Sequence, residues 1–472
     1  MPHIIGTESP TQRYWSMNRR SFLSSVAVGA VALLKARAPQ RPNILFILAD
    51  DLGYGDLGCY GQSQIQTPNL DRLAADGMRF TQAYAGATVC APSRCCLMTG
   101  KHTGHATVRG NKKPEVGLRP DEPTVASLLK GAGYSTALFG KWGLGGPGTG
   151  SVPNTHGFES FYGYLDQQHA HNSYPEHLWD NQNEVMLTGN WFWQKKQFSN
   201  DLFTARALGF LEDQSAAAPF FLYLPYTIPH ANNELGAFQA NGMENPDFGP
   251  YGSKAWPEVE KTFAASITRL DSDIGRVLSL LDKRGLSENT LVLFSSDNGP
   301  HKEGNHDAKF FESSGGVRGT KRDLTDGGIR VPAMARWRGR IRPGQVSQAP
   351  WAFWDILPTA CELAGVAPPK GIDGRSIVPT LMEGKTVARD YFYWEFHEGG
   401  FAQAIRKDNW KLIRQKPKFE IELYDLATDP RERRNLAAER KDITQTLLPL
   451  FREARTDNPN FPVKPQPRRP GA

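Results

Sequence analysis

Residues 43–51 read Asn43-Ile44-Leu45-Phe46-Ile47-Leu48-Ala49-Asp50-Asp51. An unbroken apolar run of this length, rich in branched and aromatic side chains, predicts a strand buried on both faces. The same texture recurs at 135–139 (STALF), 220–224 (FFLYL) and 290–294 (TLVLF). Helical patterns lie between these runs. Residues 123–132 carry Val125, Leu128 and Leu129, and residues 263–281 carry Ile267, Leu270, Ile274, Val277, Leu278 and Leu281 at helical spacing. Strands alternating with helices predict an α/β fold, a large mixed, mostly parallel sheet sandwiched by helices. Beyond residue 385 the texture changes. Short strand patterns at 391–396, 402–406 and 410–414, the last two joined by Lys407-Asp408-Asn409, precede a helical stretch at 443–454. They predict a small C-terminal antiparallel sheet subdomain with a helix. The expected organisation is an N-terminal region at 1–38, a large domain at 39–385, an α+β subdomain at 386–456 and a Pro/Arg-rich tail at 457–472.

Composition narrows the class. The chain has 472 residues, 39% hydrophobic and 22% charged, which excludes a disordered or collagen-like protein. No apolar run reaches the roughly 20 residues of a membrane-spanning helix. The net charge of +6 is concentrated at the N-terminus, where Arg13, Arg19, Arg20, Lys35 and Arg37 stand against Glu8. The remainder is nearly balanced, so charge gives no argument for nucleic-acid binding and none is expected. Five cysteines exclude a dense disulfide framework. Arg19-Arg20 precede the short apolar stretch 26–34 and Ala36-Arg37-Ala38, a pattern of a twin-arginine export signal with Met17 as an alternative start. The protein is therefore expected to be exported, periplasmic or secreted, through the twin-arginine machinery.

Polar residues follow each core strand. The run 43–49 leads into Asp50-Asp51, 135–139 into Gly140-Lys141, 220–224 towards Pro229-His230, and 290–294 towards Asp297-Asn298. Singly, each has an ordinary reading as a helix cap, a loop charge or a turn residue. Together they sit where open α/β sheets bind ligands, beyond the carboxyl ends of the strands. Three aspartates and an asparagine offer oxygen donors only, the preference of one hard cation, Ca²⁺ or alternatively Mg²⁺. Without a cation such carboxylates would repel one another. Zinc is disfavoured because no His/Cys set has its spacing.

Cys90-Ala91-Pro92-Ser93-Arg94, followed by Thr99-Gly100, is the most specific motif. It resembles the signature of type I sulfatases, members of the alkaline-phosphatase-like superfamily. Further matches follow in order: Thr67-Pro68-Asn69-Leu70-Asp71-Arg72, Gly140-Lys141-Trp142, Ile228-Pro229-His230, Ser296-Asp297-Asn298-Gly299, Arg318-Gly319-Thr320-Lys321, Gly327-Gly328-Ile329-Arg330 and Leu423-Tyr424-Asp425-Leu426. The resemblance runs from Pro42 to about Phe461. It implies an alkaline-phosphatase-like fold and oxidation of Cys90 to formylglycine (3-oxoalanine) by a formylglycine-generating enzyme. It implies that Asp50, Asp51, Asp297, Asn298 and the modified Cys90 hold the ion. It assigns catalysis to Cys90, Arg94, Lys141, His230 and Lys321, with Arg94 ordering the modified side chain and His230 or Lys321 giving a proton to the leaving alcohol.

One departure stands out. The family pattern Gly-Lys-Trp-His reads Gly140-Lys141-Trp142-Gly143 here. His102, His105, His169, His171, His301 and His306 remain to fill that place. The stretch His169-Ala170-His171-Asn172 is similar to sulfatases acting on sulfated carbohydrates, and aromatic Trp179, Trp191, Phe192 and Trp193 follow it. Expected substrate contacts are His169, His171, Asn172, His301 and His397. The expected activity is hydrolysis of sulfate esters on carbohydrates. The alternatives are a phosphodiester or phosphonate monoester hydrolase using the same nucleophile, or a degenerate sulfated-glycan binding protein.

Overall fold

The structure, a computed structural model, describes residues 41–215, 217–415 and 420–463. The twin-arginine stretch and the end of the Pro/Arg-rich tail lie outside the described residues. From Arg41 onward the chain forms one compact unit.

Its strands are β1 (Asn43–Ala49), β2 (Met78–Phe80), β3 (Ala83–Tyr84), β4 (Ser135–Lys141), β5 (Ser160–Tyr164), β6 (His177–Asp180), β7 (Asn183–Met186), β8 (Phe220–Pro225), β9 (Thr290–Ser296), β10 (Ala333–Arg336), β11 (Gln345–Ser347), β12 (Trp351–Ala352), β13 (Phe392–Phe396), β14 (Ala402–Lys407), β15 (Trp410–Arg414) and β16 (Ile421–Asp425). Ten of them form one sheet in the order β11-β2-β10-β9-β1-β8-β4-β5-β6-β7. The centre, β9-β1-β8-β4-β5, is parallel, while β10, β6 and β7 run antiparallel to the strands beside them. The expected large mixed, mostly parallel sheet is what the structure shows.

β1 lies at the middle of this sheet, with Ile47 opposite both Leu224 of β8 and Phe294 of β9. All seven of its residues are buried, as its unbroken apolar pattern requires. Alternate side chains go to opposite faces. Ile44, Phe46 and Leu48 pack with the helices Cys90–Thr99, Val125–Gly131 and Ile356–Ala364. Leu45 and Ile47 pack with Pro68–Ala75, Ser199–Asp213 and Glu258–Lys283. The last helix starts earlier than its apolar pattern suggested. Its first turn carries Glu258 and Glu260, which favour a helix start without contributing to the apolar stripe.

The C-terminal sheet is antiparallel in the order β13-β14-β15-β16. Its fourth strand, β16, overlaps the motif at 423–426, of which only Leu426 lies beyond it. One face closes a small core with Leu447 and Phe451, while Trp394, Ala404 and Ile413 join the main core. The terminal helical stretch is two short helices, Lys441–Leu447 and Leu450–Glu453, divided at Pro449. A proline has no amide hydrogen to continue the ladder. Buried Lys411 of β15 pairs with Asp326 at 2.7 Å and with Glu432 at 2.7 Å, fastening this sheet to the large domain. The five cysteines are all free. Among the described residues no helix is long and apolar enough to cross a membrane.

Candidate active site

The register of β1 and β9 builds the centre of the site. Ala49 pairs with Ser296, so the next residues of both strands leave the sheet side by side. Those residues are Asp50-Asp51 and Asp297-Asn298. The Asp51 backbone sits in the left-handed region (φ 66°), and its N–H donates to Asp297 Oδ1 at 3.1 Å. The Asn298 amide donates to Asp51 Oδ1 at 2.6 Å and to the Gly299 carbonyl at 2.9 Å. Its Oδ1 is buried and has no hydrogen-bond partner among the described residues. Buried acceptors are seldom left unpaired, and this one stands among carboxylates.

Cys90 opens the helix Cys90–Thr99, with Pro92 tolerated in its first turn and Ser93 Oγ accepting from the Gly86 N–H. The Cys90 thiol donates to Asp50 Oδ1 at 3.4 Å. Ligand atoms of Asp50, Asp51, Cys90 and His230 all lie within 4.8 Å of one another. Burial and the neighbouring Asp50 carboxylate push the Cys90 thiol well above its usual pKa. A neutral, buried thiol is a poor nucleophile as encoded.

Three buried cations surround the carboxylates. Lys141, the last residue of β4, donates to Asp50 Oδ2 at 2.7 Å. Arg94 lies one helical turn after Cys90, donates through Nε and Nη2 to Asp297 Oδ2 at 3.1 and 2.7 Å, and through Nη1 to the Lys141 carbonyl at 3.0 Å. Lys321 Nζ donates to Asp51 Oδ2 and Glu303 Oε2, both at 2.8 Å, and lies 3.2 Å from His230 Nε2. The contact of His230 Nδ1 with the Ala231 carbonyl at 2.6 Å turns Nε2 towards Lys321 and Asp51.

Burial raises the Asp50 carboxyl, but Lys141 and Arg94 outweigh it and hold the group well below the usual carboxylate range. Burial likewise raises Asp51, but its neighbours, Lys321 first and His230 next, together bring it below its ordinary value. Burial and Asp50 push Asp297 up to about 7 against the pull of Arg94. Burial and the charge of Lys321 lower His230 to about 3, so its imidazole is neutral.

The structure brings Cys90, Arg94, Lys141, His230, Lys321, Asp50, Asp51, Asp297 and Asn298 into one cluster. Glu303, which holds Lys321, was not read from the sequence because it belongs to no motif and acts only through its partner. The place of the missing histidine is filled differently. Gly143 adopts φ 69°, and a Cβ there would come 2.2 Å from Gln167 Nε2. That amide donates to the Gly143 carbonyl at 2.9 Å. Of the six histidines, His171 stacks on His230, with ring centres 4.8 Å apart and planes 16° apart. Its Nδ1 is 2.9 Å from Glu234 Oε2. His301 lies buried behind His230, with Nε2 3.0 Å from the Pro229 carbonyl. The others sit elsewhere: His102 and His105 beside Asp373, His169 on His177, and His306 on Phe263. His169 and Asn172 line a cleft next to His171. His397 is held by Glu395 at 3.0 Å and by the rings of Phe401 and Phe461.

The family model described as Sulfatase matches residues 42–366. This chain belongs to the sulfatase family. A second model, N-sulphoglucosamine sulphohydrolase, C-terminal, matches residues 319–456. The N-acetylgalactosamine-6-sulfatase of Rattus norvegicus is 33% identical over 401 residues, covering 78% of this chain and 71% of that protein. The steryl-sulfatase of Mus musculus is 29% identical, covering 88% and 82%. The solved structure of Ps i-CgsB in complex with k-i-k-neocarrahexaose is similar with a TM-score of 0.75 at 26% identity, covering 90% of this chain and 95% of that one. As a sulfatase, the protein is a sulfuric ester hydrolase.

Proposed function

We propose that this sulfatase removes sulfate from sulfated carbohydrates, using formylglycine made from Cys90 and one bound Ca²⁺, with Mg²⁺ as the alternative ion. The observation that carries this reading is the convergence of Cys90, three aspartates, Asn298, two lysines and His230 on one buried point at the strand ends. The donor set supports a hard cation: Asp50, Asp51, Asp297 and Asn298 Oδ1 are oxygens, and that last oxygen lacks another partner among the described residues. An aldehyde at position 90 supplies, as its hydrate, a nucleophilic oxygen with a second hydroxyl on the same carbon, and the ion supplies Lewis acidity.

The chain's own residues do the rest. Lys141 and Lys321 present ammonium groups on either side of the carboxylates, where they neutralise charge on sulfate oxygens. His230, neutral and bonded through Nδ1, keeps Nε2 towards the reacting group, and its hydrogen-bond distance to Lys321 lets the pair share a proton for the leaving alcohol. Arg94 fixes Asp297 through two donors and links it to the β4 carbonyl, so the ion-binding oxygens and Lys141 hold one geometry. His171, in its bond to Glu234, roofs His230 and is placed to meet the substrate.

The carbohydrate assignment is supported by the sulfated-sugar names among the relatives and by the polar cleft beside His171. Export through the twin-arginine route, and maturation by a formylglycine-generating enzyme, are part of the same proposal. The test is sulfate release from a panel of defined sulfated saccharides, with a phosphate diester in parallel, using protein coexpressed with the formylglycine-generating enzyme. Sulfate release from at least one saccharide, abolished in a folded Cys90→Ala protein, is expected. Turnover by that variant, or faster cleavage of the diester, overturns the proposal.

A further inference from the structure

Beside the catalytic cluster lies a cleft of about 510 Å³, of the size that holds a small ligand. Asn172 and Asn232 line it. Asn172 follows His171 in the chain and Asn232 lies two residues before Glu234; His171 and Glu234 bond each other, and His171 stacks on His230. The interior is polar and pre-set. Glu244 accepts from the Ser173 N–H at 2.9 Å, from Asn232 Nδ2 at 3.1 Å and from Lys195 Nζ at 2.8 Å. The Lys195 charge is thereby matched, so among the described residues the cleft lining offers no unpaired lysine or arginine to a second sulfate.

Its rim carries solvent-facing aromatic rings. Trp193 lines the cleft and is 89% exposed. Phe238, between lining residues Leu235 and Gln239, is also 89% exposed. The loop that presents Trp193 holds Phe192, Trp193 and Lys195 at φ of 55°, 64° and 48°, a left-handed conformation that side-chain-bearing residues avoid. A loop strained to hold large apolar rings in water has the character of a binding element rather than of a packing one.

We propose that this cleft binds a neutral pyranose ring, the sugar unit adjoining the sulfated one in an oligosaccharide, with Trp193 stacking on its apolar face. Amide and carboxylate groups in the walls and an aromatic face at the rim match a ring with hydroxyls at its edge and C–H groups on its faces. The protein is then a sulfatase of oligomeric chains rather than of free monosaccharides. This rests on the carbohydrate reading above.

The experiment compares matched probes whose neighbouring sugar is uncharged: N-acetylglucosamine 6-sulfate with a keratan-type tetrasaccharide in which galactose is unsulfated, and galactose 4-sulfate with a neocarratetraose sulfated on its galactose alone. Wild-type and Trp193→Ala proteins are assayed for sulfate release, and calorimetry measures tetrasaccharide binding to Cys90→Ala and to Cys90→Ala/Trp193→Ala. Trp193→Ala is expected to lower the tetrasaccharide-to-monosaccharide ratio of kcat/KM by about tenfold, mainly through KM, and to weaken binding by a similar factor. Phe238→Ala should act in the same direction. An unchanged ratio with unchanged binding overturns the cleft assignment, as does failure of every tetrasaccharide to bind. Trp193-dependent binding without sulfate release from any probe supports the cleft and overturns the catalytic reading instead.

Discussion

Gly143 shows how a single residue is decided by backbone and neighbour together. Its φ of 69° costs a side-chain-bearing residue about 1–2 kcal/mol. The close approach to Gln167 Nε2 is the smaller term, because the far end of a flexible side chain can swing aside at the cost of one hydrogen bond, about 1 kcal/mol. Gly143→Ala should therefore lower stability by roughly 2–3 kcal/mol, and by only about 1–2 kcal/mol in a Gln167→Ala background. Urea unfolding of the four proteins tests this, and an equal cost in both backgrounds would show that Gln167 is not what fills the space. The sequence displayed the departure at Gly143 plainly. It did not display Gln167 or Glu303, because each acts by reaching across from a separate loop, and no local spacing records such a contact.

At the scale of elements, the long central strands were legible and the short outer ones were not. β1, β4, β8 and β9 are apolar runs buried on both faces, so pattern alone locates them. β2, β10 and β11 have only three or four residues, and their pairing is set by neighbours distant in sequence. β13 was visible, but not what holds it. Glu395 on that strand is buried and bonds Arg109 Nη1 at 2.9 Å, Arg455 Nε at 3.0 Å, His397 Nε2 at 3.0 Å and the Tyr393 hydroxyl at 2.7 Å. Burial raises its carboxyl, but His397 and Arg109 win and lower it to about 2. A depressed carboxylate contributes stability fully above its unfolded pKa near 4.5 and loses it as pH falls towards 2. The contribution is roughly 3 kcal/mol at neutral pH. Glu395→Gln should flatten the dependence of unfolding free energy on pH between about 4.5 and 2. An unaltered slope in that window would show that this carboxylate does not fasten β13 to the loop of Arg109.

Across the whole molecule, the position of the site followed from topology: polar residues after parallel central strands converge where adjacent strands end. Lys321 and Arg94 reach the same point from a loop and a helix, which only the motif resemblance had connected to it. The resulting cluster draws on β1, β4, β9, the helix Cys90–Thr99 and the segments around His230 and Lys321, so it exists only when the large sheet and its covering layers are assembled. An ion held there binds the native state and not the unfolded chain. At about a hundred times its Kd it adds roughly 2.7 kcal/mol to stability. For a chain of this size that corresponds to a rise of a few degrees in Tm, since about 1 kcal/mol moves even a 150–250-residue domain by only 2–4 °C. Ca²⁺ added to chelator-treated protein should therefore raise Tm, and Asp51→Asn together with Asp297→Asn should remove the response. Scanning calorimetry over a Ca²⁺ titration, repeated with Mg²⁺, reads both effects. A Tm indifferent to either ion up to millimolar concentration would mean that these oxygens are held by Lys141, Lys321 and Arg94 alone, and the cation would have to be withdrawn from the mechanism.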